Sequence, residues 1–462
     1  MLVALDEALE RIAVASAGTT YEESVRIFHV MKILLWHGYL LGGTGSNVYS
    51  RALARAWARA GHEVVVFCQE PHPERYDLGG ATVVRPDLDG PLPVFVLDRY
   101  EGMEPRFLQE LTWEQRRDFV ERNAAAIREC LPADFLLTNH VLLGAPVGVA
   151  VGVPFSVKAH GSELEFSIRG NTELAGWARE SLDQAETVFA GSEHIRGVLQ
   201  EVAGPGKYLE RVQVVPPGVD VEELVPADRK TAFSALVEEA RRDPPNPRGE
   251  GERLPDPGNA DRLEAFLAGD EPTVVYVGKL SEEKGVHLLL EALQRVDARA
   301  VIVGFGPARP ALETLAADLS RGSARRAETR VIFTGPLDHR HLRHLWALAD
   351  VSVTPSVFPE AFGMVAAEAA ACGSPPLVAR HSGLAEIATG IEAEYPPEQR
   401  HLAGFGPGDV ADLTAKLRAI LALAPEERRR LGEAARRAVV RRWSWERVAA
   451  LLLSREWETP SA

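Results

Sequence analysis

The sequence predicts an α/β protein made of two doubly wound domains that face each other across a cleft. Short apolar runs alternate with helical patterns in both halves of the chain, as in parallel sheets covered by helices. A segment crowded with proline, glycine and charge, residues 242–260, separates the halves. The length of 462 residues suits two or three domains of roughly 100 to 200 residues. In such folds ligands bind at the carboxyl ends of the strands, so the cleft is the expected site.

The strand-like runs of each half place the elements of the two sheets. The first half holds runs at 32–36, 63–69, 134–138, 155–158, 187–190 and 212–215. The second half holds runs at 273–278, 298–306, 330–335, 351–356 and 375–380. Helical patterns lie between most of these runs, which indicates parallel sheets with crossover helices.

Five segments follow from this pattern. Residues 1–30 form an N-terminal extension without the basic start and long apolar core of a secretory signal. It is either a short helical extension or the product of a start codon upstream of Met31. Residues 31–224 are the first domain, 225–270 a linker or insertion, and 271–440 the second domain. Residues 441–462 are predicted to form a helix that packs on both domains.

Composition narrows the possible classes of protein. Lysine and arginine number 51 against 66 acidic residues, a net charge of −15 that disfavours a nucleic-acid-binding protein. The three cysteines are widely spaced, which disfavours a disulfide framework. No apolar run reaches the roughly 20 residues that a membrane span needs. We therefore expect a cytoplasmic protein with no stable membrane span, and the sequence leaves its oligomeric state open.

Two loops of the sequence are suited to bind phosphate groups. Gly42 and Gly43 open the stretch GGTGSN between a strand and a helix, where the backbone can approach an anion closely. The pattern G-x-G-x-x-G fails at Val48, so a nicotinamide site is disfavoured, and a tight turn without a ligand is the alternative. Lys279 and Lys284 flank the loop of VGKLSEEKG and could clamp a diphosphate, although loop lysines are more often solvated.

The stretch PEAFGMVAAEAAACGSPPLVA, residues 359–379, places Glu360 and Glu368 in an apolar context. Buried carboxylates need partners, and vicinal hydroxyl groups suit them well. Backbone N–H groups from Phe362 through Gly363 to Met364 face outward at a predicted helix start, where an oxyanion or sugar hydroxyl can accept from them. This stretch is therefore a candidate binding site for a sugar.

Histidines offer one further candidate. His160 follows the strand-like run PFSVKA, and there it could contact a sugar or carry a proton, or serve only to cap a turn. The cluster HRHLRH, with His339, His341 and His344, lacks carboxylates or cysteines at metal-site spacing. We assign that cluster to an exposed helix face.

These motifs together resemble the retaining glycosyltransferases of family 4, which have the two-Rossmann-domain GT-B fold. The resemblance covers the chain from Met31 onward. Its strongest element is the E-x7-E pair of Glu360 and Glu368, followed by SGLAEI with Gly383 and Glu386. Similar too are VPPGVD, GSEHIRGVL, YVGKLSEEKG, VGFGP and FTGPLDHRHLRHLWALADVSVTPS.

The resemblance implies a role for each candidate residue. Glu360, His160 and Lys284 would be the catalytic residues, with Glu360 and His160 beside the transferred sugar. Glu368 would take the ribose hydroxyls of the nucleotide. The other implied donor contacts are Lys279 and Lys284 with the backbone of Phe362, Gly363 and Met364 on the diphosphate, and Gly42 and Gly43 on the phosphate from the other domain. Two departures are the lysine at 279, where the family usually has arginine, and the extra proline at 376.

The implied activity is transfer of a sugar from a nucleotide-diphosphate sugar to a hydroxyl acceptor with retention of configuration. Front-face (SNi-like) attack explains retention without a catalytic base, and no cofactor or metal is expected. The alternatives are a sugar-nucleotide epimerase of the same architecture and a non-catalytic sugar-nucleotide binder. The sequence leaves open the donor base, the donor sugar and the acceptor, whose surface the segment 102–123 could border.

Overall fold

The computed structural model describes residues 30–43, 45–95, 100, 102–243, 254–318 and 330–454. Almost all of the predicted N-terminal extension and the last eight residues of the predicted C-terminal segment therefore lie outside the described residues. The same holds for Thr44 of the glycine loop and for residues 244–253 of the predicted linker.

The first domain is built on a seven-stranded parallel sheet in the order β3-β2-β1-β6-β7-β8-β9. Its strands are β1 Lys32–Trp36, β2 Glu63–Phe67, β3 Thr82–Val84, β6 Phe135–Asn139, β7 Ser156–Lys158, β8 Thr187–Ala190 and β9 Val212–Val214, and β4 Leu92–Val94 pairs separately with β5 Pro105–Phe107. The helices are α1 Gly45–Arg59, α2 Trp113–Arg128, α3 Gly144–Val151, α4 Thr172–Leu182 and α5 Glu193–Ala203.

The second domain is built on a six-stranded parallel sheet in the order β12-β11-β10-β13-β14-β15. Its strands are β10 Thr273–Val277, β11 Arg299–Val303, β12 Val331–Phe333, β13 Val351–Thr354, β14 Pro376–Ala379 and β15 Gly404–Phe405. Its helices are α6 Arg229–Arg241, α7 Asn259–Leu267, α8 Val286–Leu293, α9 Arg309–Asp318, α10 His339–Leu348, α11 Met364–Ala371, α12 Ser382–Glu392, α13 Val410–Ala422 and α14 Pro425–Trp443, and α15 Trp445–Leu453 ends the described chain.

Branched apolar residues explain why the central strands form. In β10, for example, Val274 and Val275 are buried on opposite faces of the sheet, because helices cover both sides of it. In β1, Ile33 lies opposite Val64 on one side and Phe135 on the other. These strands end at one edge of each sheet, and the loops that follow them carry the polar residues.

The structure places two helices within residues 225–270, which the sequence predicted to be a linker or an insertion. Helices α6 and α7 lie inside it, and Leu236 and Leu263 are fully buried in the core of the second domain. The prolines and charges between the two helices hide their amphipathic patterns in the sequence. Both helices of the predicted linker or insertion therefore pack into the second domain.

The chain crosses between the domains at two adjacent points. Val219 pairs with Ser444 in a parallel bridge, and its N–H donates to the carbonyl of Trp443 at 2.6 Å. Before the crossing, α14 packs on α11 and α12 of the second domain, and after it α15 packs on α1 of the first. Trp445 meets Tyr49 edge-on at 5.4 Å between ring centroids. The two crossings thus form one connection between the domains.

No helix among the described residues is both long and apolar enough to pass through a membrane.

Candidate active site

The two domains touch where loops from their facing sheet edges meet. Ser192 Oγ, at the start of α5, donates to the carbonyl of Ala361 at 2.6 Å. A Cβ on Gly161 would lie only 3.7 Å from the Cβ of Ala361, so these backbones are close. Glu386 of α12 accepts the N–H of His194 at 3.3 Å across the same boundary. The contact places the loop of His160 beside the loop of Glu360.

Lys284 and Glu360, both predicted as site residues, contact each other. Lys284 Nζ lies 2.5 Å from Glu360 Oε1, and the two side chains are 31% and 23% exposed. Gly285 next to Lys284 has φ +67, and a Cβ there would lie 2.0 Å from the carbonyl oxygen of Pro355. Only glycine fits this close turn, which directs Lys284 toward Glu360. The pair presents a cation and a carboxylate side by side at the domain boundary.

The main chain of Glu360 is held by the start of α12. Its N–H donates to Ser382 Oγ at 2.8 Å, and its carbonyl accepts the N–H of Gly383 at 3.0 Å. A Cβ on Gly383 would lie 2.5 Å from the Cα of Phe362, so the two backbones pack directly. The sequence indicated Gly383 through the SGLAEI segment but gave no role to Ser382.

Helix α11 begins at Met364, directly behind this loop. Gly363 has φ +118, and a Cβ there would lie 2.7 Å from Leu384. Phe362 is buried and packs edge-on against Trp443 at 5.6 Å between centroids. Phe362, Gly363 and Met364 therefore lie at the amino end of a helix, where the helix dipole places a partial positive charge, as the sequence predicted.

Glu368 lies on α11, and its side chain is 12% exposed. Burial raises the pKa of this carboxyl group, while the neighbouring His339 lowers it. His339 Nε2 lies 3.9 Å from Glu368 Oε1. The sequence missed this neighbour, because the two residues lie on different helices.

The assignment of the HRHLRH cluster to an exposed helix face is wrong for His341. His341 is fully buried, and its Nε2 lies 3.1 Å from Asp243 Oδ1 at the end of α6. His339 does lie on the exposed side. The error follows from the linker prediction, since α6 was not expected to cover this helix.

His160 sits at the carboxyl edge of the first sheet. Its Nε2 bonds Asn139 Oδ1 at 2.8 Å, and because an amide oxygen only accepts, Nε2 carries the proton. Burial lowers the pKa of His160 well below its usual range, and Lys158 and His37 lower it further. The ring is therefore neutral near pH 7, with Nδ1 as its hydrogen-bond acceptor.

His160 is surrounded by several buried ionisable residues that were not predicted as site residues. Burial lowers the pKa of Lys158 to about 7, and its Nζ donates to the carbonyl of Val215 at 2.6 Å. Burial raises the pKa of Glu163 to about 8, although amide groups that donate to it oppose the rise. His140 has φ +74, and neither of its ring nitrogens has a hydrogen-bond partner among the described residues. Such strain and unpaired polarity are typical of functional sites.

The remaining predicted phosphate contacts are Gly42 and Gly43 in the first domain and Lys279 in the second. Gly43 has φ +91, and a Cβ on Gly42 would lie 2.5 Å from Tyr76 Oη. Asn47 of α1 donates to the carbonyl of Gly42 and holds the loop. Lys279 is exposed to solvent. Their roles in phosphate binding remain predictions.

A cavity of about 320 Å³ opens at the carboxyl end of β2 in the first domain. Its wall includes Gln69, Arg85 and Asp87, together with Met103 and Glu104 from the segment that the sequence indicated as a border of the acceptor surface. Gln69 is buried and accepts from Arg85 Nε at 3.3 Å. In the described part of the chain, no group of three metal-ligating side chains is arranged to hold a metal ion.

Both domains match known protein families. Residues 43–223 match the model described as Glycosyltransferase Family 4, and residues 259–438 match the model described as Glycosyl transferases group 1. The chain is 31% identical to a D-inositol 3-phosphate glycosyltransferase of Xylanimonas cellulosilytica, over 58% of this chain and 57% of that protein. It is 28% identical to D-inositol 3-phosphate glycosyltransferase 2 of Catenulispora acidiphila, over 81% of each. Other matches span only about half the length of the related protein, such as 49% of the D-inositol 3-phosphate glycosyltransferase of Mycobacterium bovis.

Solved structures share the whole architecture. Sucrose-phosphate synthase from Thermosynechococcus elongatus matches with a TM-score of 0.61 at 23% identity, over 91% of this chain and 97% of that one. Anabaena HepE in complex with UDP matches with a TM-score of 0.63 at 17% identity, over 91% and 98%. At this identity the likeness shows the fold. The two family matches show that this chain belongs to glycosyltransferase family 4, and the structural likeness shows that it has the GT-B fold.

Proposed function

We propose that the protein is a retaining glycosyltransferase that moves a sugar from a nucleotide-diphosphate sugar to a hydroxyl acceptor. The observation that carries the proposal is the Lys284–Glu360 pair, which lies next to the amino end of α11 and faces the loop of His160 across the domain boundary. The comparisons support it, since the relatives include D-inositol 3-phosphate glycosyltransferases and HepE was crystallised with UDP and with UDP-glucose.

The chemistry proceeds through stabilisation of the leaving group. As the bond between the anomeric carbon and the diphosphate oxygen breaks, negative charge grows on the diphosphate. Lys284 has three N–H donors, so it can keep Glu360 while donating to a phosphate oxygen. The backbone amides at the start of α11 add favourable dipoles. Glu360 lies beside the positive charge that develops on the sugar ring.

Retention follows from attack on the same face that the phosphate leaves. The acceptor oxygen forms its bond to the anomeric carbon, and the acceptor proton passes to the departing phosphate oxygen. No protein base is needed for this step. His160 is neutral near pH 7, so it serves as a hydrogen-bonding group for sugar or acceptor hydroxyls and not as a positively charged imidazolium.

Glu368 is proposed to bind the ribose of the nucleotide. Its carboxyl group is mostly buried, so a pair of vicinal hydroxyls would satisfy hydrogen bonds that water otherwise provides. His339, exposed and 3.9 Å away, borders this position. Gly42, Gly43 and Lys279 remain proposed phosphate contacts.

The cavity beside Gln69 is the proposed acceptor site. It lies at the same edge of the first sheet as His160, and its wall combines the guanidinium of Arg85 with the carboxylates of Asp87 and Glu104. Such mixed donors and acceptors suit a polyhydroxylated ligand, and a cavity near 300 Å³ is at the small end of ligand sites. We propose D-inositol 3-phosphate and unphosphorylated inositol as the first acceptors to test.

The test begins with a thermal-shift screen of nucleotide sugars, starting with UDP-glucose, since a bound donor raises Tm by mass action. Transfer is then measured with the acceptor panel, with and without EDTA, because we propose that no metal or cofactor is needed. Glu368→Ala and Lys284→Ala should each lower kcat/KM by about 10²- to 10³-fold while the protein stays folded. Transfer at the wild-type rate by either variant would contradict the role assigned to that residue.

The same experiment separates the two alternatives. A sugar-nucleotide epimerase would change the donor when it is incubated alone, which NMR of the donor detects. A non-catalytic binder would raise Tm but show neither transfer nor slow hydrolysis of the donor. Cytoplasmic location is proposed together with the enzyme activity, because nucleotide sugars would be its substrates.

A further inference from the structure

We propose that Ser382 and His381 are positioning residues that fix the main chain of Glu360 for catalysis. The inference rests on the proposed function, in which Glu360 faces the transferred sugar. Neither residue touches the Lys284–Glu360 ion pair, so both would act through the backbone of Glu360.

A chain of three hydrogen bonds connects Glu360 to the second sheet. The N–H of Glu360 donates to Ser382 Oγ at 2.8 Å, Ser382 Oγ lies 3.1 Å from His381 Nδ1, and His381 Nε2 lies 2.7 Å from the carbonyl oxygen of Ser356. A carbonyl only accepts, so Nε2 carries a proton. In the neutral ring Nδ1 is then the acceptor, and the hydroxyl of Ser382 donates to it. Every donor in the chain therefore has one acceptor.

The far end of this chain is firmly placed. Ser356 is buried and lies two residues after strand β13, whose residues pair with β10 and β14 in the middle of the sheet. At the near end the side chains of Val357, Phe358 and Ala361 are exposed, so side-chain packing holds the loop of Glu360 less than it holds the sheet. Ser382 and Gly383 bind the main-chain N–H and carbonyl groups of Glu360. The hydrogen bonds through His381 connect Ser382 to Ser356, just after strand β13 of the sheet.

The strained backbone conformation of Ser382 indicates that a hydroxyl group is required at this position. Ser382 has φ +47, in the left-handed region that favours glycine, and His140 is the one other non-glycine residue with positive φ in the described part of the chain. Glycine would adopt this conformation without strain but has no hydroxyl to accept the N–H of Glu360. Strain of this kind persists where the surrounding structure requires it, commonly at functional sites.

Two substitutions separate the hydroxyl group from the strain. Ser382→Gly removes both, whereas Ser382→Ala removes the hydroxyl and keeps the strain. We expect Ser382→Gly to have the higher Tm of the two. We expect both variants to lose kcat to the same extent, by roughly 10- to 100-fold, because a small displacement of a catalytic group has effects of this size. The affinity for UDP alone should stay within about threefold of wild type, since Glu368 and not Glu360 is proposed to hold the nucleotide.

Hydrogen exchange measured by mass spectrometry on the peptide that contains Glu360 gives a readout that needs no activity. Faster exchange of this peptide in both Ser382 variants and in His381→Ala supports the positioning chain. In the double variant His381→Ala/Ser382→Ala, kcat should fall no further than in Ser382→Ala, because the two residues act in series.

Unchanged exchange, or a kcat that follows Tm so that Ser382→Gly is as active as wild type, would overturn the proposal. If the wild-type protein transfers no sugar from any donor, the proposed function is contradicted, but the positioning proposal is not. In that case the exchange of the Glu360 peptide still decides whether Ser382 and His381 hold this backbone.

Discussion

Glu386 offers a direct test of how the two domains are held together. Its carboxylate belongs to the second domain and accepts the amides of Glu193 and His194 at the start of α5 in the first, with His194 N at 3.3 Å. Burial raises the pKa of Glu386, and these amide bonds oppose the rise. The carboxylate thus lies at a helix amino end, where negative charge is favourable. Glu386→Ala removes the contact, and Glu386→Gln keeps an acceptor without the charge.

The size of the effect can be worked out from these contacts. Hydrogen bonds to a charged group contribute about 1.5–3 kcal/mol, and partial exposure of Glu386 to solvent reduces this to about 1–2 kcal/mol. Helix α5 has its own cap, since Ser192 Oγ accepts the N–H of Ile195 at 3.1 Å. The helix should therefore stay folded, and the loss should fall on the contact between the domains. That corresponds to a shift of roughly 5- to 30-fold from domains in contact toward domains apart.

Small-angle X-ray scattering and donor titration measure this shift. We expect Glu386→Ala to increase the radius of gyration of the free protein and to weaken donor binding by up to the same 5- to 30-fold, because the apparent affinity scales with the fraction in the closed state. Glu386→Gln should fall between wild type and Ala. Scattering and donor affinity identical to wild type in Glu386→Ala would refute the reasoning, as would unfolding of the first domain alone.

Two further predictions concern stability. Lys158 is 2% exposed, and its pKa falls to about 7 in the folded protein, so the unfolded chain binds more protons between pH 7 and 10.5 and stability should rise with pH there. Between pH 8.5 and 10 this rise should be smaller in Lys158→Met by up to about 1.4 kcal/mol per pH unit in chemical denaturation, and equal slopes would contradict it. Gly285→Ala should lower the free energy of unfolding by about 2–4 kcal/mol, because it adds left-handed strain and a clash with Pro355; a loss below about 0.5 kcal/mol in urea titration would show that the turn adapts.

The parts of the fold that the sequence predicts best are the central strands. Val274 and Val275 belong to an apolar, branched run that is typical of a strand buried on both faces, and the crossover helices between such runs indicate a parallel order. The edge strands β3 and β15 have three and two residues, too few to show a pattern. Helices α6 and α7 were hidden for a different reason, since prolines and charges next to them suggested a linker.

The candidate site divides in the same way. That Lys284, Glu360 and His160 lie at the ends of strands could be predicted from topology, because the carboxyl ends of parallel strands share one edge. That Lys284 contacts Glu360 could not, since it depends on the turn at Gly285 and on side-chain directions 76 residues apart. Ser382 was missed because a positive φ at a serine leaves no mark in the sequence.

Our central proposal is that sugar transfer at the Lys284–Glu360 pair retains the anomeric configuration. The most direct measurement is ¹H NMR of the anomeric proton of the first transfer product, recorded during turnover of the donor that the thermal-shift screen identifies. We expect an α-configured donor to give an α-linked product, and Lys284→Ala to form it at least about 100-fold more slowly. A β-linked product would contradict front-face transfer, and undiminished α product from Lys284→Ala would contradict the location of the site.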